Sequence, residues 1–218
     1  MNENVTELVF ILDRSGSMSG LEDDTIGGFN SMIEKQKKLE GDVLVSTILF
    51  DTESERLHDR EDIKEIKKMT RKDYTAGGCT ALLDALGDEI NHIARIHKKL
   101  KDEAPAKTMF IITTDGQENS SSEYSLSDVK KLVTKMQDQN DWEFLFLGAN
   151  IDAISAAGKM GIRAERAVNY KCDSEGTAVN FNVLAKAVAN FRSCKMGHAD
   201  EALEAWSEEI NADYQNRS

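Results

Sequence analysis

The chain has 218 residues, with 27 Lys+Arg against 39 Asp+Glu, which gives a formal net charge of −12. At about 150 residues per domain, this length predicts one domain with a short appendage. The acidic balance disfavours nucleic acid and anionic membrane surfaces as partners. Cys79, Cys172 and Cys194 are odd in number and widely spaced, so they indicate a reducing compartment rather than a disulfide framework. Neither a basic leader nor a run of about 20 apolar residues is present, and we therefore expect a cytoplasmic protein.

Short apolar segments alternate with longer amphipathic ones along the chain. Apolar residues spaced by three and four predict helices, and short continuous apolar runs predict buried strands. In chain order, the pattern predicts strands at 5–12, 42–50, 53–59, 108–114, 143–147 and 166–170, and helices at 21–39, 80–100, 126–139, 151–160 and 177–191.

This alternation predicts an α/β fold, a Rossmann-like, doubly wound and mostly parallel six-stranded sheet with helices on both faces. The second and third strands are separated by too few residues for a crossover, so one of them should be an antiparallel edge strand. We expect the domain to span 1–196 and an acidic tail to span 197–218. In the tail, Leu203, Trp206 and Ile210 have helical spacing, which predicts a helix that docks on the same domain.

Polar side chains follow two predicted strands and precede one predicted helix. Asp13, Ser15 and Ser17 form a D-x-S-x-S pattern after the first strand, Thr80 follows a glycine-rich loop, and Asp115 lies in a T-D-G sequence after the strand at 108–114. These segments should meet at one edge of the sheet, where open parallel sheets bind ligands. Hydroxyl and carboxylate oxygens suit Mg²⁺ or Mn²⁺. This donor set leaves a position that a carboxylate from another molecule can fill.

These residues resemble the metal-ion-dependent adhesion site of von Willebrand factor type A domains, and the resemblance covers roughly residues 5–195. It implies a domain that holds Mg²⁺ (or Mn²⁺) through Asp13, Ser15, Ser17, Thr80 and Asp115 and binds an Asp or Glu of a partner protein without catalysis. The chain looks most like the stand-alone intracellular bacterial members, which sometimes act beside ring-forming ATPases. The family also implies that movement of the last helix switches the affinity of the site.

Two residues beside the predicted site, Arg14 and Met18, are expected to form a partner-binding rim, with Arg14 exposed and able to pair with the partner's acid. Cys79 is interpreted as a small loop residue, with an oxidation-sensitive position as the alternative. The lysine-rich segment 64–72 is interpreted as a solvated face, with a docking patch for an acidic partner as the alternative.

Two alternatives to the adhesion site remain open. Asp13 and Asp115 could simply cap the helices that follow them. A metal-dependent phosphatase of the haloacid-dehalogenase type would use Asp13 as its nucleophile, but that chemistry wants a second acid two residues further on, where this chain has Ser15.

Overall fold

The computed structural model describes the backbone of residues 2–217 and the side chains of residues 5–105 and 107–217. Its strands are β1 (Asn2–Asp13), β2 (Asp42–Phe50), β3 (Ser54–Asp62), β4 (Pro105–Thr114), β5 (Glu143–Gly148) and β6 (Ala167–Asn169). Its helices are α1 (Glu22–Gln36), α2 (Leu82–Leu100), α3 (Leu126–Asn140), α4 (Ala153–Lys159), α5 (Ser174–Ser193), α6 (Ala199–Ala202) and α7 (Glu208–Asn216).

The strands form a six-stranded sheet in the order β3-β2-β1-β4-β5-β6. β1 is central and pairs in parallel with both β2 and β4, and β5 and β6 continue the parallel arrangement. β3 pairs antiparallel with β2 after a tight turn in which the Asp51 N–H donates to the Glu53 carbonyl at 2.9 Å. The predicted fold class, including the antiparallel edge strand, is confirmed.

Both faces of the sheet are covered by helices. Side chains of β1 alternate between two apolar cores: Leu8 and Phe10 lie in the core that contains α1 and α5, and Val9 and Ile11 lie in the core that contains α2, α3 and α4. All four side chains are completely buried. Burial on both faces explains why this strand is a continuous apolar run rather than an alternating one.

Side-chain caps set the starts of several helices, among them α3 and α5. Ser125 and Asp128 form a capping box at the start of α3. α5 begins at Ser174, three residues before the predicted start, because the Asp173 carboxylate accepts a hydrogen bond from the Gly176 N–H at 2.8 Å. This cap satisfies a backbone donor of the first turn and extends the helix toward the end of β6.

The residues after α5 lie against the body of the domain. Leu203, Trp206 and Ile210 are buried in the core that contains α1 and α5. The Trp206 indole N–H donates to the Glu165 carbonyl at 2.9 Å. Met1 and Ser218, the outer ends of the predicted domain and tail, lie outside the described residues. Across residues 2–217, none of the helices has the length and apolar character needed to cross a bilayer.

Candidate metal centre

Three loops meet at the carboxyl ends of β1 and β4. The Gly16 N–H donates to the Gly78 carbonyl at 3.1 Å, which ties the loop after β1 to the loop before α2. Thr80 exchanges two hydrogen bonds with Asn119, of 2.9 and 3.1 Å, which ties that second loop to the loop after β4. Gly78 has φ +71°, and a Cβ there would lie 2.7 Å from Thr52 Oγ1. Only glycine allows this backbone path, so the glycine-rich sequence before Thr80 serves the close approach of the loops.

The hydroxyl groups converge between these loops. Ser15 Oγ and Ser17 Oγ are 3.1 Å apart, and Ser17 Oγ donates to Asp115 Oδ1 at 2.5 Å. A Cβ placed on Gly116 would lie 3.6 Å from both Ser17 Oγ and Thr80 Oγ1. The two hydroxyls therefore approach the same point, and glycine at position 116 leaves that point open.

Asp13 lies beneath the hydroxyls with only 1% of its surface exposed. Its Oδ1 accepts from the Ser15 N–H at 2.7 Å, and its Oδ2 accepts from the Thr114 hydroxyl at 2.6 Å. Burial raises the pKa of Asp13, although the hydrogen bonds from Thr114 and Ser15 act in the opposite direction, and the nearby Asp115 raises it further. A cation among these groups would offset the cost of holding two acids out of water.

The arrangement fits a hard divalent cation. The five residues that the sequence singled out lie together, and four of them, Asp13, Ser15, Thr80 and Asp115, are at most 3% exposed. Among the side chains of residues 5–105 and 107–217, no group of three or more His, Cys, Asp or Glu could hold a metal ion. The donors here are instead hydroxyls with two carboxylates, an oxygen set of the kind that Mg²⁺ and Mn²⁺ use. A cation held there would supply Lewis acidity toward one more oxygen ligand.

The structure corrects the expected rim. Met18 is buried, with 6% of its surface exposed, and therefore offers no apolar rim. The Arg14 guanidinium turns away toward β3, where it forms ion pairs of 2.8 Å with both Asp51 and Glu55. Its side chain is 16% exposed. The charged residues after β2 attract this guanidinium, so it is already paired and is not an exposed group awaiting a partner's acid.

Three residues beside the site were missed at the sequence level. Cys172 Sγ donates to Asp115 Oδ2 at 3.4 Å, Asn150 Nδ2 donates to the Asp115 carbonyl at 3.3 Å, and the Tyr74 hydroxyl donates to the Asp13 carbonyl. Burial raises the pKa of Cys172 to about 12. Cys172 and Asn150 follow β6 and β5, so the strand-end rule that located the other loops extends to them. No sequence signal points to Tyr74.

Acidic groups near the site are already committed to backbone donors. Glu118, the next acid after Asp115, accepts hydrogen bonds from the Leu83, Ser120 and Ser121 N–H groups, at 2.8 to 3.0 Å. The position that a haloacid-dehalogenase reaction would give to a general acid is held by Ser15, whose Oγ lies beside Ser17.

No family model and no curated protein matches the sequence. Solved structures do match in fold. The PilB minor pilin from Streptococcus sanguinis is 11% identical, with a TM-score of 0.61 over 86% of this chain and 62% of that one. Proximal thread matrix protein 1 from the mussel byssus, with a zinc-occupied MIDAS motif, is 10% identical, with a TM-score of 0.60 over 84% and 48%. The von Willebrand factor type A protein from Catenulispora acidiphila is 17% identical, with a TM-score of 0.55 over 84% and 42%.

The sheet order, the antiparallel edge strand and these similarities define the fold as that of von Willebrand factor type A domains. This chain spans less than two thirds of the length of each of the three proteins. The similarity therefore concerns the domain that carries the sheet and not the whole of those proteins.

Proposed function

We propose that this chain is a metal-dependent protein-binding module that captures an Asp or Glu side chain of a partner through a Mg²⁺ ion. The observation that carries the proposal is the convergence of the Ser15, Ser17 and Thr80 hydroxyls above two buried carboxylates, at the edge of the sheet where such folds bind ligands. The zinc-occupied MIDAS motif of the mussel protein supports a divalent cation at this place in the fold.

The balance of charge explains why an acid would be the ligand. Asp13 and Asp115 together neutralise a dication, and the remaining donors are neutral hydroxyls. A cation so held keeps affinity for another carboxylate oxygen at modest electrostatic cost. Ser17 is the exposed member of the set, so the approach to the ion would be from its side.

We further propose that the module is not an enzyme and acts in the bacterial cytoplasm. The absence of a second acid two residues after Asp13, and the engagement of Glu118 with three backbone donors, support a binding role over hydrolysis. The acidic composition and the separate, unpaired cysteines support the compartment.

The first test is calorimetric titration of Mg²⁺ and Mn²⁺ into the wild type, Asp13→Asn and Asp138→Asn. Asp138 is an exposed residue of α3, so its substitution matches the charge change away from the site. We expect binding in the wild type and in Asp138→Asn and at least a tenfold loss in Asp13→Asn. Metal binding that is absent from the wild type, or equal in all three proteins, would refute the metal centre.

The second test captures partners from a bacterial lysate with the same three proteins, in millimolar Mg²⁺ and in EDTA. We expect a protein that is retained with Mg²⁺ by the wild type and Asp138→Asn and is released by EDTA. A protein that is retained equally in Mg²⁺ and in EDTA, and equally by the wild type and Asp13→Asn, would exclude this surface as the binding site. Turnover of p-nitrophenyl phosphate that depends on both Mg²⁺ and Asp13 would replace the binding proposal with the phosphatase.

A further inference from the structure

A second candidate surface lies at the opposite end of the sheet. It is a groove of about 640 Å³ between α2 and α3, closed below by the start of β4 and the residue before β5. We call it the α2–α3 groove. β4 runs from Pro105 at the groove to Thr114 beside the metal centre, and its length separates the two surfaces by about 30 Å at about 3.3 Å per residue.

The walls of the α2–α3 groove carry cations without acids. Arg95, Lys98 and Lys101 follow one another along α2 and its end, and Lys135 faces them from α3. All four side chains are exposed, and no Asp or Glu is among the residues described as lining the groove. In a chain of net charge −12, this is a local reversal of sign.

Three of these cations have no acidic partner, whereas most arginines among the described residues are ion-paired. Arg56, for example, pairs with Glu89 at 2.7 Å, and Arg163 pairs with Glu143 at 2.8 Å. Within the described part of the chain, no ion pair involves Arg95, Lys98 or Lys135. The ends of α2 and α3 favour cations through their helix dipoles, which accounts for the location but neutralises the charge only in part.

The floor of the groove is apolar. Trp142 and Met136 are only 3% and 5% exposed and close the groove from below, so the apolar surface that a ligand could contact comes from the half-buried Leu132 and Ala94. The lining residues of α2 extend from Asn91 to Lys98, about 11 Å at about 1.5 Å per residue, and Lys101 continues the trough just past the end of the helix. An apolar floor between basic walls of this length matches an amphipathic segment that carries acids beside its apolar side chains.

We propose that the α2–α3 groove binds an acidic, amphipathic helical segment of a partner protein, independently of the metal centre. A compact phosphate fits less well, because α2 and α3 both direct their carbonyl ends toward this end of the fold, where negative charge close to the backbone is disfavoured. Cations spread along a trough match carboxylates spread along a helix, and long Lys side chains reach them away from the helix ends.

The probe is a fluorescein-labelled helical peptide of Glu and Leu, with Leu at helical spacing, compared with the same peptide carrying Gln in place of every Glu. Binding is followed by fluorescence anisotropy in EDTA, so the outcome does not depend on the metal proposal. The groove variant combines Arg95→Glu, Lys98→Glu and Lys135→Glu. A second variant, Lys67→Glu, Lys68→Glu and Lys72→Glu, makes the same charge change in the exposed segment 64–72.

We expect the wild type to bind the Glu peptide at least tenfold more tightly than the Gln peptide. The groove variant should bind the Glu peptide at least tenfold more weakly than the wild type, and the 64–72 variant less than twofold more weakly. Equal affinity for the two peptides, or equal losses in the two variants, would overturn the proposal. Displacement of the peptide by inorganic phosphate at far lower concentration than chloride would overturn the peptide as occupant and assign the groove to a small anion.

Discussion

Replacement of Asp13 by Asn should separate the stability of the metal-free protein from its response to metal. Asn is nearly the same shape: its Oδ1 can accept from the Ser15 N–H, and its Nδ2 can donate to the Thr114 hydroxyl. Burial raises the pKa of Asp13, so ionisation of this carboxyl disfavours the folded state. Its contribution to the free energy of unfolding is complete below its ordinary pKa of 3.8 and falls as the pH rises through the raised pKa. At neutral pH and without metal, Asp13→Asn should therefore be at least as stable as the wild type.

The metal response should change in the opposite direction. When free metal rises from its Kd to a hundred times its Kd, the folded wild type gains about 2.3 kcal/mol by mass action. At about 2.1 cal/mol/K per residue, 218 residues give an unfolding entropy of about 0.46 kcal/mol/K, so the melting temperature should rise by about 5 °C. Asp13→Asn removes a charge beside the ion and should lose most of this rise.

Thermal unfolding followed by circular dichroism, with Mg²⁺ varied from EDTA to tens of millimolar, measures both quantities. Asp138→Asn serves as the control and should behave like the wild type in both. The reasoning is refuted if metal-free Asp13→Asn is less stable than the wild type by more than about 1 kcal/mol, since that would show the buried charge to be favourable without metal. The reasoning is also refuted if Mg²⁺ raises the melting temperature of Asp13→Asn as much as that of the wild type.

Glu7→Ala should cost about 3 kcal/mol in urea unfolding, because it leaves Arg60 without its fully buried carboxylate partner; a loss below about 1 kcal/mol would contradict this. Leu203→Ala should cost about 2 to 4 kcal/mol while Mg²⁺ affinity stays unchanged, since this completely buried side chain belongs to the core and not to the metal centre. In timed alkylation with mass spectrometry, exposed Cys79 should react first and Cys172 last, because burial raises the pKa of Cys172 to about 12; the reverse order would show that the thiol beside Asp115 is more accessible than described.

The sequence predicts the sheet and the five-residue cluster because both follow from short patterns of neighbouring residues: apolar runs that form strands, and polar residues directly after or before an element. The apolar run of β1 and the D-x-S-x-S pattern after it place Asp13 at the edge of the sheet, whichever way the other strands are arranged. The link between β2 and β3 at Asp51 is too short for a crossover, and this is sufficient to require that the two strands are antiparallel.

The rim could not be predicted in the same way, because it depends on a choice between distant partners. Arg14 follows the strand like its neighbours in the motif, yet its guanidinium reaches 37 and 41 positions along the chain to Asp51 and Glu55. Ion pairs with two carboxylates are more favourable for this guanidinium than exposure to solvent. Because both carboxylates are distant in sequence, no local pattern predicts this choice. The same holds for Tyr74, whose hydroxyl meets the Asp13 carbonyl 61 residues away.

The central position of β1 has a mechanical consequence. This strand pairs with β2 from Val5 to Asp13 and with β4 from Thr6 to Leu12, and the proposed metal centre lies at its carboxyl end. Tension applied between that centre and the amino end of β1 would act along the strand, nearly across the evenly spaced hydrogen bonds of both parallel ladders. All of these bonds would then bear the load together in shear, whereas a strand at the margin of the sheet, such as β3, could be peeled off one bond at a time. A tether attached through this site would thus pull on the most resistant strand of the domain.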